Sequence, residues 1–106
     1  MPVLMTLRGR GDPRKLEEHA TANADEMRAI VGIATAHGLL AHRFYGAEDG
    51  RIMVADEWPD EASFRAFFEE AGPRIQTLMG ATGMTDEPEI VFWRKLETHD
   101  DVGWKD

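Results

Sequence analysis

Three short runs of this chain are apolar at every position: Val3-Leu4-Met5, Ile52-Met53-Val54-Ala55 and Ile90-Val91-Phe92-Trp93. Successive side chains of a strand point to opposite faces. A sheet built from such runs therefore carries apolar residues on both sides, whereas a sheet with one wet face would alternate. Helices of the same chain can cover only one side. An apolar face of more than a few hundred Å2 is rarely left open on a monomer. The economical cover is a second copy packed sheet to sheet, so the pattern predicts a homodimer.

The rest of the chain supplies the elements between these runs. Strand 1 spans Val3-Leu4-Met5-Thr6-Leu7 and is broken by Gly9-Arg10-Gly11. Asp12-Pro13 then gives a helix cap followed by Pro at the first helical position. The first helix is expected from Pro13 to His37, with apolar residues at Leu16, Ala20, Met27, Ile30, Val31 and Ala34, and with Gly32 as the place where it bends. Strand 2 is Leu39 to Tyr45, Glu48-Asp49-Gly50 is a turn, and strand 3 is Arg51 to Trp58, ended by Pro59. Asp60 caps a second helix with a Phe64, Phe67, Phe68 and Ala71 stripe. Gly72-Pro73 is expected to close it and open a short one carrying Ile75, Leu78 and Met79. Strand 4 is Glu89 to Leu96. The order β-α-β-β-α-β is the ferredoxin-like arrangement, an α+β fold with a four-stranded antiparallel sheet. It predicts one domain over residues 1–106, with a core at about 3–96 and an acidic tail at 97–106. Trp104 in that tail reads either as a hook onto a neighbouring subunit or as part of a frayed end.

Composition removes several classes of function. Lys and Arg number 12 against 20 Asp and Glu, a formal charge of −8. That disfavours nucleic acid and anionic membrane surfaces, which need clustered positive charge. No run is long and apolar enough for a membrane helix, and the first residues carry no secretion signal, so a cytoplasmic location is expected. Cysteine is absent, which rules out disulfides, thiolate nucleophiles and Cys-ligated metals. The four histidines are scattered without metal-ligand spacing, so no metal is expected. Ser63, the lone serine, sits at a helix start, which argues against a Ser-His-Asp triad.

What remains are polar groups on apolar faces. At about 100° per residue, Asn23 falls in the apolar stripe of the first helix, with His19 on its edge. A buried amide costs ~1–3 kcal/mol without a partner. Asn23 therefore either bonds a neighbour, marks a break in the helix, or lines a cavity. In the hairpin, a two-residue Asp49-Gly50 turn sets Arg43 opposite Asp56 and His42 opposite Glu57. A four-residue loop keeps the same faces. Each pair reads either as a cross-strand ion pair or as an acid–base couple opening into a cleft.

The element order, the doubly apolar sheet and the segment Asp56-Glu57-Trp58-Pro59-Asp60-Glu61-Ala62-Ser63-Phe64 resemble the dimeric α/β-barrel superfamily, in particular its antibiotic-biosynthesis-monooxygenase-like branch. The resemblance implies a homodimer with a β-barrel between subunits and a ligand cleft between each sheet and its helices. Activities in that group include cofactor-independent oxygenation of aromatic polyketides, cyclisation, isomerisation and haem degradation. Trp58 matches the Trp that lines the substrate pocket there, unless it is a plain core aromatic. The chain departs from the group in having no Asn in a strand and no His between Glu61 and Gly80, which argues against haem. The expected site is His19, Arg43 and Asp56 for proton transfer, with Asn23, Tyr45, Trp58 and Phe64 around an apolar or aromatic metabolite, and no cofactor. The alternative is a non-catalytic ligand-binding or structural homodimer with the same groups satisfied internally.

Overall fold

The computed structural model describes residues 1–104. In chain order the elements are β1 (Val3–Arg10), α1 (Pro13–Ala22), α2 (Ala24–Ala36), β2 (Ala41–Ala47), β3 (Arg51–Trp58), α3 (Glu61–Ala81) and β4 (Glu89–Arg94). The strands form one four-stranded antiparallel sheet in the order β2-β3-β1-β4. This is the ferredoxin-like arrangement, with its first helix in two pieces. Met5, Leu7, Ile52, Val54 and Trp58 of the sheet share a core with Phe64, Phe67, Ala71, Ile75 and Leu78 of α3. The helices start where the sequence places them. Asp12 accepts from the Arg14 N–H at 2.9 Å, and Asp60 accepts from the Ser63 N–H at 2.8 Å. The Ser63 backbone N–H, and then its hydroxyl, hold the Asp60 carboxyl below its ordinary range.

Several boundaries differ from expectation: β2 runs Ala41–Ala47 rather than Leu39 to Tyr45, β4 ends at Arg94 rather than Leu96, and three further differences have identifiable causes. The first helix breaks at Asn23 rather than bending at Gly32. Asn23 leaves helical geometry at φ −128°, ψ 43°, and its side-chain amide donates to the His19 carbonyl at 2.9 Å. An Asn side chain that bonds nearby backbone competes with the helix ladder, so α1 and α2 meet at this one residue. α3, by contrast, runs straight through Pro73. The buried positions Phe64, Phe67, Ala71, Ile75 and Leu78 continue at spacings of three and four across it. Pro73 lies on the exposed side, where water can reach the carbonyl its ring frees. β1 also continues past Gly9, because β3 is long enough to pair with Gly9 and Arg10.

Gly32 sits inside α2, exposed, with open space where a Cβ would stand. A glycine in an exposed helix interior costs ~0.5–1 kcal/mol relative to alanine. Gly32→Ala is therefore expected to raise the melting temperature by about 2–8 °C in a domain of this size. A fall in a thermal melt would mean α2 needs freedom at that point.

The β2–β3 hairpin carries the difference that matters most. The loop has three residues, 48–50, rather than two or four. The Gly50 N–H donates to the Ala47 carbonyl at 3.2 Å, and Gly50 takes φ 84°. This is the three-residue loop whose last position must be left-handed. An odd loop shifts the register by one residue and turns every β2 side chain over. His42 stands opposite Asp56, and Arg43 opposite Ala55. The expected Arg43–Asp56 and His42–Glu57 pairs do not form. Arg43 and Tyr45 instead share the sheet face turned away from the helices.

Candidate active site

The helix-side face carries one carboxylate. Asp56 lies on β3 between Val54 and Trp58 and is only 4% exposed. A buried carboxylate needs hydrogen bonds to both oxygens to offset the loss of water. Both are supplied. Oδ1 meets His42 Nδ1 at 2.7 Å, and Oδ2 accepts from Trp58 Nε1 at 3.2 Å. A carboxylate accepts only, so Nδ1 is the ring nitrogen that carries the proton. In the neutral ring Nε2 then keeps its lone pair. Indole N–H is an obligatory donor, and Trp58 is completely buried. It therefore anchors Asp56, which in turn anchors His42. Among the described residues no buried side-chain polar atom lacks a partner.

His42 and Asp56 form the polar edge of a cavity of about 60 Å3 between the sheet, α2 and α3. Its walls are otherwise carbon and sulfur, with Met27, Ile30, Phe44, Phe64 and Phe68 prominent among them. The His42 side chain is 27% exposed, and its ring meets Phe44 edge-on with centroids 5.1 Å apart. Phe64 stacks on Phe68 at 5.3 Å and meets Trp58 edge-on at 5.8 Å. A histidine held at Nδ1 by a carboxylate, on the wall of an apolar space, is an arrangement that suits a general base.

The expected site residues divide between separate places. Asp56, Trp58 and Phe64 come together, with Phe64 in the cavity wall and Trp58 behind Asp56. Arg43 and Tyr45 lie on the far face of the sheet and touch each other at 3.5 Å. His19 is half-buried on α1, and Asn23 is exposed. The two pair at 3.3 Å at the α1–α2 joint, away from the cavity. His19, Asn23 and Trp58 do not border the cavity, so the chemical case rests on His42 instead. The signal for His42 was present in Glu48-Asp49-Gly50, since a glycine third in the loop suits the left-handed position of a three-residue turn. Among the described residues no three His, Asp or Glu side chains are placed to hold a metal ion, and no helix is long and apolar enough to cross a membrane.

The far face of the sheet has its own character. Leu4, Thr6 and Arg8 of β1 share it with Met53 and Ala55 of β3, Val91 and Trp93 of β4, and Tyr45 of β2. Leu4, Tyr45 and Trp93 are 45%, 48% and 49% exposed. Trp93 lies across Thr6 and donates to its hydroxyl at 2.8 Å.

No family profile and no curated protein matches the chain. Solved structures do match. A monooxygenase of Streptomyces coelicolor in complex with nanaomycin D superposes with a TM-score of 0.67 at 19% identity, over 94% of this chain and 92% of that one. SnoaB, a cofactor-independent oxygenase of Streptomyces nogalater, gives 0.63 at 16% identity, over 94% and 98%. A conserved protein of Methanosarcina mazei gives 0.64 at 17%, over 91% and 94%. Several further matches are named antibiotic biosynthesis monooxygenases. The fold of this chain is that of the antibiotic-biosynthesis-monooxygenase structures.

Proposed function

We propose that the chain is a homodimeric enzyme of the antibiotic-biosynthesis-monooxygenase type that removes a proton from an apolar, aromatic small molecule, with His42 as the base. The observation that carries this reading is the Trp58–Asp56–His42 relay at the edge of an otherwise apolar cavity. The acidic O–H or C–H proton passes to Nε2, and the electron pair stays on the substrate as a delocalised anion. Return of the proton at a different carbon is an isomerisation and needs no co-reactant. Oxygenation of an activated CH2 needs one dioxygen, with one oxygen atom entering as a carbonyl and the other leaving as water. Neither route requires a bound cofactor. The neighbours described as oxygenases support the class of reaction, and the complex with nanaomycin D supports a small-molecule occupant of the fold.

The second copy belongs to the same reading. Leu4, Tyr45 and Trp93 stand exposed on a face the helices do not cover, and apolar sheet faces of this kind are covered in stable proteins. Sedimentation at micromolar concentration is expected to give twice the chain mass.

The test uses a panel of polycyclic phenols and hydroquinones, followed by absorbance and by oxygen uptake. At least one is expected to turn over, and His42→Ala is expected to slow it by about 10²–10⁴, the usual worth of a positioned base. Tight binding without turnover across the panel would instead support a ligand carrier. Turnover untouched by His42→Ala would remove the base.

A further inference from the structure

The lining of the cavity beside His42 falls into two groups. Met27, Ile30, Phe44 and Phe68, like the His42 ring, are only partly buried and form its mouth. Met5, Leu7, Val54, Ile75, Leu78 and Met79 are at most 9% exposed and form its inner wall. Every side chain of that inner wall is hydrocarbon or thioether. The strand register sets it next to the base. His42, Asp56 and Met5 stand in one row across the sheet, and Phe44, Val54 and Leu7 in the next row on the same face. Such rows are about 7 Å apart along the strands.

Water finds no partners in the inner part. A buried water needs two to four polar groups to hold it. Both Asp56 oxygens are taken, by His42 and by Trp58, and among the described residues no buried side-chain polar atom lacks a partner. The lone pair of His42 Nε2 is a single acceptor, on a residue of the mouth. An apolar cavity of roughly 150 Å3 stays dry and takes up benzene or xenon. At about 60 Å3 this one is too small for a ring and suits an apolar molecule of two or three atoms. The polarizable sulfurs of Met5 and Met79 add dispersion contacts to such a molecule.

We propose that the inner part of this cavity is a dry site for dioxygen, held one row along the sheet from His42, and that the reaction is therefore oxygenation rather than isomerisation. The reaction rests on the reading of His42 as a base; the dry site does not. The organic molecule enters at the mouth and gives a C–H proton to His42, and its carbon then stands against the inner wall. The electron pair left on carbon is shared with dioxygen, one electron moving at a time, to form a C–O bond and a peroxide anion. The peroxide takes the proton back from the His42 imidazolium. Loss of the second proton from that carbon breaks the O–O bond, and the departing hydroxide takes up that proton, giving a carbonyl and one water. A wall without hydrogen-bond donors also keeps water from protonating the anion first.

The test uses dioxygen itself as the probe, on the whole protein with carbon-13 methyl groups on Leu, Val, Ile and Met. Dioxygen is paramagnetic, so a methyl group that it visits relaxes faster. Under oxygen pressure, compared with the same pressure of nitrogen, the methyls of Leu7, Val54, Leu78 and Met79 are expected to relax several-fold faster. The gain should exceed that of Leu16 and Ile52, which are equally buried but do not line the cavity, and that of the exposed Met1 and Val102. Ala34→Leu, which extends a side chain into the cavity from α2, is expected to abolish the excess. It should also raise the KM for dioxygen several-fold more than the KM for the organic substrate. Val54→Ile, larger by one carbon, repeats the measurement with less overpacking. Relaxation no faster at the inner wall than at Leu16 and Ile52 overturns the site, as does magnetisation transfer from a bound water to those methyls. If the excess is present but His42→Ala leaves turnover untouched, the gas site stands and the base falls. If the excess is absent while His42→Ala slows turnover, the base stands and the gas site falls.

Discussion

Asp56→Asn is expected to cut turnover by about 10²–10⁴ while leaving the fold in place. The reason lies in the two donors that face this side chain, the Nδ1–H of His42 and the Nε1–H of Trp58. Asparagine has only one oxygen to accept with. If that oxygen turned to His42, the amide NH2 would point at an indole N–H that is wholly buried and cannot accept. A buried donor left unpaired costs ~1–3 kcal/mol. The oxygen therefore turns to Trp58, and the NH2 faces Nδ1. Nδ1 must then accept, the ring proton moves to Nε2, and the lone pair that served as base is gone. Nitrogen-15 chemical shifts of the His42 ring report this exchange directly, whatever the substrate. An unchanged tautomer with unchanged turnover would show that Asp56 does not orient the imidazole.

Trp58→Ala is expected to be the most destabilising single change at the site, at ~3–5 kcal/mol. Trp58 is fully buried, with Phe64 and Phe67 rings at 5.8 and 5.4 Å. Against a total stability of ~5–15 kcal/mol, that loss is a large share. Trp58→Phe separates the two roles of the indole. It keeps a ring in the aromatic cluster but removes the donor to Asp56 Oδ2, leaving a buried oxygen without its partner at ~1–3 kcal/mol. Urea unfolding should rank the wild type above Phe and Phe above Ala. Equal midpoints for the two variants would mean the hydrogen bond, rather than the packing, holds this corner.

Much of the architecture was readable because its signals are local. Asp12-Pro13 and Asp60 mark helix starts that the side-chain hydrogen bonds of those same residues make. The runs at Val3, Ile52 and Ile90 mark strands with apolar residues on both faces. The site was readable only in part. Which β2 residue meets Asp56 depends on parity, and parity turned on whether Ala47 pairs with Arg51 or belongs to the loop. One residue there replaces arginine with histidine opposite the carboxylate. Pro73 misled for a different reason. Its local preference to end a helix is outweighed by the six buried positions of α3 that continue through it, a tertiary effect no short window contains. Asn23 was ambiguous because the same amide that fits an apolar stripe by angle also fits a joint by its own hydrogen bonding.

That joint bears on how the cavity takes in a guest. At about 60 Å3 it is far below the ~300–1,000 Å3 of sites for drug-sized ligands. One wall, α2, has a single buried residue, Ala34. Exposed pairs, Arg74 with Glu26 and His37 with Glu70, tether its two ends to α3, and such pairs contribute little. α2 joins α1 only through Asn23, and it stands apart from β2 and β3, which hold the imidazole and the carboxylate. On the proposed reading such a chain separates fit from chemistry: the guest would be shaped by a lightly anchored helix, and His42 would meet it from the sheet.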